Sequence, residues 1–313
     1  QAFLGCTGLE SFEVAKESTR FHSSDGILYD TTGKYLLLYP AGRIGPCNIE
    51  DGTENIAPYA FADSQFLTEI HFPESLTFIS SFAFYRCTSL KELIIPDTVT
   101  QLDDSAFRES GLQKVKLPRK LSELDDSYLF YQCRDLREVI FPEEITSIGF
   151  FTFSGSGIET IDLPSTIKAI NYYAFYECTR LKQISLPDGL KYIRTEAFYN
   201  CSSLESITIP QSTSLMDSGV FSNCTNLKSV TLPDNLETIE GATFSNCTAL
   251  TDIVMPKNLT CIKNNAFIGC KNLHSIVFPD TLVSIEEGAF WESGLTELNL
   301  NSNFKLSHIN AFK

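Results

Sequence analysis

Leu181-Lys182-Gln183-Ile184-Ser185-Leu186-Pro187-Asp188-Gly189-Leu190-Lys191-Tyr192-Ile193-Arg194-Thr195-Glu196-Ala197-Phe198-Tyr199-Asn200-Cys201 is one full copy of the pattern that organises this 313-residue chain. Ile184 and Leu186 alternate with Gln183 and Ser185, the period of two expected of a short strand with one buried face. Pro187 has no amide hydrogen to give a ladder, so it ends that strand at a turn. Leu190 and Ile193, three residues apart, point inward again from an opposite wall, in a short extended or single-turn piece. No window keeps a 3.6-residue apolar period over the roughly ten residues a helix needs. Phe198 closes the copy. Its position recurs at Phe61, Phe84, Phe107, Phe130, Phe153, Phe175, Phe221, Phe244, Phe267 and Phe290, always 22 or 23 residues on, with prolines keeping step from Pro73 to Pro279.

A unit this short cannot enclose its own apolar side, so the pattern predicts a solenoid whose stacked units share one interior. A fully buried Phe contributes about 1.5 to 3 kcal/mol in transfer terms, and truncating it to Ala costs about 3 to 5 kcal/mol once the cavity is counted. The Phe series is therefore read as core rather than as a ligand-binding aromatic set. Eight of the ten cysteines, Cys6, Cys87, Cys133, Cys178, Cys201, Cys224, Cys247 and Cys270, lie three residues after the Phe position or its partial-unit equivalent. Ser64, Ser110, Ser156 and Ser293 take that place in other units. A position that accepts Cys or Ser wants a small side chain able to donate to a turn carbonyl, not a metal ligand. Buried, reduced thiols are expected there, while Cys47 and Cys261 stand outside the column with their redox state open.

Three irregularities mark the register. The steps Pro96 to Pro118 and Pro118 to Pro142 are 22 and 24 residues, which places an extra residue, and a local bulge, between Leu121 and Phe130. Thr213 and Met216 make a weaker inward rung. After Leu300 the proline is replaced by Asn301 and the spacing fails at Ile309 to Phe312, the mark of a degraded or cut last coil. At the other end Phe3, Cys6, Leu9 and Phe12 fit a partial unit, followed by an insertion at about residues 15–48. There Gly26-Ile27-Leu28-Tyr29 and Tyr35-Leu36-Leu37-Leu38-Tyr39 flank Asp30-Thr31-Thr32-Gly33-Lys34, a β-hairpin with Gly33 placed for positive φ. Pro40-Ala41-Gly42 closes it and Ile49 to Ile56 regains register. The insertion is expected to extend the sheet, leaving residues 1–313 as a single solenoid.

The chain is 43% hydrophobic and 20% charged, and 24 Lys and Arg against 39 Asp and Glu give a net charge of −15. Such a surface repels phosphate backbones, which excludes a nucleic-acid partner. The longest apolar run, around Leu36-Leu37-Leu38, is far below a transmembrane segment. Gln1-Ala2-Phe3-Leu4-Gly5-Cys6 has neither a starting Met nor a basic leader, so the chain reads as a piece of something larger whose targeting signals lie outside it. His22, His71, His274 and His308 show no metal-site spacing, and no phosphate-loop, dinucleotide or nucleophile-elbow motif is present. Asp103-Asp104 and Asp125-Asp126 read as ordinary turn acids. No catalytic residue, cofactor or metal ligand is expected, and the chain is not read as an enzyme. Asn-x-Ser/Thr acceptors begin at Asn200, Asn223, Asn246 and Asn258; carrying glycan requires a eukaryotic secretory route and an outward Asn.

The third and fifth residues of each strand unit point outward and stack into two columns. One runs Glu69, Glu92, Lys114, Glu138, Thr160, Gln183, Ser206, Ser229, Asp252, Ser275 and Glu297; the other runs His71, Ile94, Lys116, Ile140, Asp162, Ser185, Thr208, Thr231, Val254, Val277 and Asn299. Glu92, Ile94, Lys114, Lys116, Glu138 and Ile140 form the candidate partner patch, because exposed Ile beside charges offers both desolvated contact and steering. The competing reading is that β-branched residues merely suit an open sheet.

Leu204-Glu205-Ser206-Ile207-Thr208-Ile209-Pro210 and Gly241-Ala242-Thr243-Phe244-Ser245-Asn246-Cys247-Thr248 resemble the BspA-type leucine-rich repeats of bacterial and protist surface proteins. Ser24 to Tyr29 with Tyr39-Pro40-Ala41-Gly42 resembles the hairpin insertion those proteins carry, and Glu50 departs from the Pro usual at that re-entry. The resemblance covers nearly the whole chain. It implies a β-rich leucine-rich-repeat solenoid, with short parallel strands on one face, short turns or 3₁₀ pieces opposite, and the N-terminal hairpin. It also implies a secreted or cell-surface interaction module for adhesion or recognition, with a protein or glycan ligand, host matrix among the candidates. The alternative is a structural spacer that carries other domains away from the cell envelope.

Overall fold

The computed structural model describes residues 3–121, 124, 128–297, 304–306 and 311. The extra residue expected between Leu121 and Phe130, and the degraded last coil at Asn301 and 309–312, fall largely outside the described residues. The chain divides into two compact units, Gln1–Ile145 with Phe151–Gly157, and Thr146–Phe150 with Ile158–Lys313. Both are β-rich, and no helix occurs among the described residues.

In the first unit the strands are β1 (Phe21–Ser24), β2 (Ile27–Asp30), β3 (Tyr35–Leu38), β4 (Gly45–Asn48), β5 (Asn55–Ile56), β6 (Leu67–His71), β7 (Phe78–Ile79), β8 (Glu92–Ile94), β9 (Gln101–Leu102), β10 (Lys114–Lys116) and β11 (Glu138–Ile140). One wall carries β4 beside β6 and, separately, the sheet β8-β10-β11; the other carries β3-β5-β7-β9, all parallel. β2 and β3 form the expected hairpin, with Gly33 at φ 74°, and β1 adds a third antiparallel strand. β3 then pairs in parallel with β5, so the insertion does extend the sheet.

The second unit contains β12 (Ser147–Ile148), β13 (Thr160–Asp162), β14 (Ala169–Ile170), β15 (Gln183–Ser185), β16 (Tyr192–Ile193), β17 (Ser206–Thr208), β18 (Leu215–Met216), β19 (Ser229–Thr231), β20 (Thr238–Ile239), β21 (Asp252–Val254), β22 (Cys261–Ile262), β23 (Ser284–Ile285) and β24 (Lys305–Leu306). Every pair is parallel: β13-β15 and β17-β19-β21 on one wall, β12-β14-β16-β18 and β20-β22-β23-β24 on the other. The inward rung around Leu190 and Ile193 is thus extended rather than a helical turn. Ser275 to Val277, which fits the strand pattern, adopts no regular strand.

A third line of contact carries the Phe side chains. Phe61, Phe84, Phe107, Phe130 and Phe153 are buried in the first unit, with adjacent ring centroids 4.9, 5.5, 5.6 and 5.6 Å apart and the planes nearly parallel. In the second unit Phe175 to Phe290 repeat this at 5.2, 5.5, 5.8, 5.2 and 5.0 Å. The backbone holds the spacing: Phe84 N–H donates to Ala106 O and Phe175 N–H to Ala197 O, both at 2.8 Å. Each Phe lies between two left-handed residues, Phe82 and Arg86 (both φ 57°) around Phe84, Ala242 (φ 55°) and Asn246 (φ 58°) around Phe244. A left-handed non-glycine residue costs about 1 to 2 kcal/mol, least for Asn, and burial of the ring offsets it. Asn200, Asn223 and Asn246 all occupy this position, so three of the Asn-x-Ser/Thr sites follow from turn geometry; Asn246 Nδ2 donates to Asn223 Oδ1 at 3.0 Å.

Phe3 and Cys6 do not start the row. Both are exposed, and Phe3 instead packs edge-on against Phe12 at 5.5 Å. The hairpin delivers Tyr39 to that slot, 22 residues before Phe61, where its ring stacks on Phe61 at 4.9 Å. The thiol column is otherwise as expected. Cys87 and Cys133 in the first unit donate to Phe61 O and Phe107 O at 3.1 and 3.0 Å. Cys201, Cys224, Cys247 and Cys270 in the second do the same to Phe175, Phe198, Phe221 and Phe244 at 3.1 to 3.2 Å. Burial pushes the Cys224 and Cys270 thiols up to about 12. Cys47 is also buried and shifted up to about 12 by desolvation, while Cys261 is half-buried.

The 22-residue steps come from shortened turns. Where Cys87-Thr88-Ser89-Leu90 has four residues, Ser110-Gly111-Leu112 has three, and Ser156-Gly157-Ile158 and Ser293-Gly294-Leu295 match it. A Cβ on Gly111 would collide with Thr88 O, and one on Gly157 with Arg134 O, so only glycine lets the short turn approach the coil before it. Lys91, Arg137 and His274, each one residue after the inward Leu of that preceding coil, then reach the crowded carbonyls. Lys91 Nζ donates to Thr88 O at 2.9 Å, His274 Nδ1 bonds Gly294 O at 3.0 Å, and Arg137 Nη1 donates to Gly157 O and Leu136 O at 2.9 Å and to Arg134 O at 3.2 Å.

Three expectations follow from this packing. Arg137→Ala is expected to cost about 1 to 3 kcal/mol in urea unfolding, because it strips donors from three carbonyls, whereas the exposed Arg134→Ala should stay within about 0.5 kcal/mol; equal effects would refute the capping role. In thiol alkylation of the native protein Cys6 should react first and Cys261 slowly, with the buried column labelled only on unfolding; rapid native labelling of Cys224 would contradict its burial. His22 bonds Glu50 Oε2 through Nε2 at 2.9 Å and Asp30 O through Nδ1 at 2.7 Å. The Glu50 bond chiefly lifts its pKa above the ordinary 6.5, against desolvation, which lowers it. A raised folded pKa means that its stabilisation of the hairpin is full below about pH 6.5 and is lost as pH rises through the folded value. NMR titration should place the His22 midpoint above 6.5 and lower in Glu50→Gln; a midpoint at or below 6.5 would remove the coupling.

Candidate functional site

The six residues singled out from the sequence lie together on the first unit. β8, β10 and β11 pair so that Glu92, Lys114 and Glu138 share one outward row and Ile94, Lys116 and Ile140 the other. Between these rows the inward Leu93 and Val115 are buried, which fixes the register because a one-residue slip would turn them to solvent. Ile94 is 70% exposed and Ile140 40%, both large for aliphatic side chains on an ordered strand. Both lysines are half-buried by their neighbours.

Charge is distributed unevenly over this face. Lys114 Nζ lies 2.9 Å from Glu138 Oε1, and that hydrogen bond raises the lysine pKa. The Lys116 ammonium has no hydrogen-bonding or ionic partner among the described residues, although its backbone carbonyl accepts from Ile95 N–H at 3.0 Å. At the end of β10 and β11, Leu117 N–H continues the ladder to Ile140 O at 3.0 Å before Pro142 stops it. There the surface opens into a cavity of about 490 Å³ lined by Lys116, Leu117, Arg119, Ile140, Phe141, Pro142, Glu143 and Glu144. Arg119 faces Asp97, its Nε 3.6 Å from Asp97 Oδ2, and its backbone N–H donates to Asp97 Oδ1 at 3.0 Å.

The strand face of the second unit is plainer. Thr160, Gln183, Ser185, Ser206, Thr208 and Thr231 are short or polar and outward; Val254 and Val277 are the exposed apolar residues, at 66% and 86%. Sequence reading missed a second concavity on the first unit, about 520 Å³, beside the short turn at Gly111 and lined in part by Arg108, Glu109, Tyr131 and Asp135. Its charges are mutually engaged. Glu109 bonds Arg86 Nε at 2.9 Å and Arg108 Nε at 3.3 Å, Arg108 stacks 4.7 Å over the Tyr131 ring, and Asp135 lies 3.4 Å from Lys91. Burial pushes the Glu109 carboxyl up, and the two guanidiniums more than reverse this to leave it below the usual range. The missing residue at Ser110-Gly111 was the signal that could have located it. Among the described residues no three His, Cys, Asp or Glu side chains converge as a metal site, and no helix is long and apolar enough to cross a membrane.

The chain is similar to several solved structures. A leucine-rich repeat protein from Bacteroides ovatus is 22% identical, with 92% of this chain and 81% of that one covered at a TM-score of 0.73. One from Eubacterium ventriosum is 20% identical, covering 86% of each chain at a TM-score of 0.56. A leucine rich cell surface protein from Faecalibacterium prausnitzii is 22% identical, with coverage of 94% and 96% and a TM-score of 0.56. At these identities the likeness establishes the fold. No curated protein matches the sequence. The BspA type leucine rich repeat region model matches residues 41–156, 126–251 and 243–313, and with the 22- or 23-residue Phe row and its parallel ladders this chain belongs to the BspA-type leucine-rich repeat family.

Proposed function

We propose that the chain is an extracellular or cell-surface interaction module that recognises a host protein or glycan through the strand face of β8, β10 and β11. The observation that carries this reading is the pair of exposed isoleucines, Ile94 and Ile140, held in register on either side of Lys116 over a buried core. Such a surface loses little backbone entropy on binding, because the ladder has already ordered the strands that carry it. Exposed aliphatic area supplies contact and the neighbouring charges supply orientation. Surface display is supported by the likeness to the Faecalibacterium leucine rich cell surface protein, and by the general use of repeat surfaces as broad binding faces. The Ser/Thr-rich stretch of the second unit's strand face, from Thr160 to Thr231, favours the spacer reading for that stretch, since its outward columns carry no exposed aliphatic side chain.

A binding screen against host matrix proteins and glycans tests this, run on the native chain, on Ile94→Asp and Ile140→Asp, and on Thr208→Asp as a control. The two isoleucine variants are expected to lose about tenfold or more in affinity while the control keeps it. Binding that ignores both isoleucines would remove the face, and no binding at all would favour the spacer.

A further inference from the structure

Lys116 differs in its surroundings from the other lysine of the same strand. Lys114, two residues away, is neutralised by Glu138 at 2.9 Å. Lys116 has no such partner among the described residues, although the chain carries 39 acidic residues against 24 basic ones. On the same wall its register neighbours are Ile94 and Ile140, not acids, so the ladder places one cation between two exposed aliphatic side chains. Adjacent parallel strands lie about 4.8 Å apart, which puts Ile94 and Ile140 within reach of one short segment centred on Lys116. The cavity of about 490 Å³ is lined by Lys116 at one side, by Ile140, Phe141 and Pro142 as its apolar wall, by Arg119, which faces Asp97 at 3.6 Å, and by Glu143 and Glu144, so it takes the apolar neighbour while the carboxylate is left to Lys116 on the strand face.

We infer that the partner determinant read by this face is a carboxylate side chain flanked by apolar side chains on a protein, the carboxylate seating on Lys116 and one apolar neighbour entering the cavity beside Ile140. The inference rests on the strand-face reading above and specifies its occupant. Charge complementarity selects that occupant. Apolar contact with Ile94 and Ile140 strips water from around Lys116, and an ammonium losing water demands an anionic acceptor. A neutral apolar segment would leave it unpaired, and a basic one would be repelled. In a chain of net charge −15 this local cation selects where an acidic partner can land, because most of the surrounding surface repels it.

The test uses ¹⁵N-labelled full chain titrated with acetyl-Leu-Glu-Phe-amide, its Leu-Gln-Phe and Leu-Lys-Phe counterparts, and a heparin oligosaccharide, following the amides of β8, β10 and β11. The Glu peptide is expected to bind about tenfold more tightly than the Gln peptide. Lys116→Met should abolish that preference, and Lys116→Glu should reverse it towards the Lys peptide, with thermal unfolding unchanged in both variants. Equal binding of the Glu and Gln peptides, a preference that survives Lys116→Glu, or no shift of these strands by any peptide would overturn the proposal. Heparin binding that depends on Lys116 without peptide discrimination would likewise overturn it and assign the site to an anionic glycan. If Ile94→Asp abolishes ligand binding in the screen while the peptides show no charge preference, the strand-face reading stands and this one fails.

Discussion

The structure depends on keeping one aromatic ring per coil at van der Waals distance from the next. Backbone and side chain enforce this together in each unit: the Phe amide donates to the residue before the following Phe, and the rings stack 4.9 to 5.8 Å apart. That distance matches the spacing of adjacent strands, so the two parallel walls and the ring row share one repeat length. The two left-handed residues around each Phe are a consequence, because only a sharp double reversal turns the ring inward within so few residues. Cys finishes the turn by giving its hydrogen to the previous coil's Phe carbonyl, which no apolar side chain could do, whereas Ser110 in that place meets Cys133 Sγ at 3.4 Å and Ser64 Oγ is buried without a partner among the described residues.

Interruptions of the repeat show the same constraint at work. Where a turn loses a residue, glycine permits the closer approach and a basic residue or histidine from the coil before caps the exposed carbonyls. Where the hairpin is inserted, the chain restores the stack by supplying Tyr39 at the correct spacing, and the residues that superficially match the pattern, Phe3 and Cys6, are left on the surface. The interior tolerates changes in chain path far better than changes in ring spacing. Thr213, buried in place of an aliphatic residue, illustrates this by donating to Leu190 O at 3.2 Å.

Because the core is assigned to the inward positions of every coil, the outward positions are released from folding and can differ between coils. On the first unit they bring two isoleucines and two lysines onto three registered strands; on the second they are mostly Ser and Thr. A rigid ladder carrying variable side chains suits recognition better than chemistry. Reacting groups need converging elements and water exclusion, and an open sheet face offers neither. The tied charges around Glu109 show the contrasting case, a concavity whose ionic groups already satisfy one another.

The 22- or 23-residue period, the inward and outward alternation and the Cys/Ser column together made the solenoid class, the hairpin and the membership of the candidate patch readable in the sequence. Each is a local rule repeated many times, so chance matches are averaged away. Tertiary structure alone decided that Tyr39 rather than Phe3 begins the ring row, since spacing across an insertion depends on where the chain returns. It alone decided that Arg137 caps the Gly157 turn and that, among the described residues, the Lys114 ammonium is paired while that of Lys116 is not. Those outcomes depend on which side chains from different coils come within hydrogen-bonding distance, and two lysines at equivalent outward positions look alike until their neighbours in space are fixed.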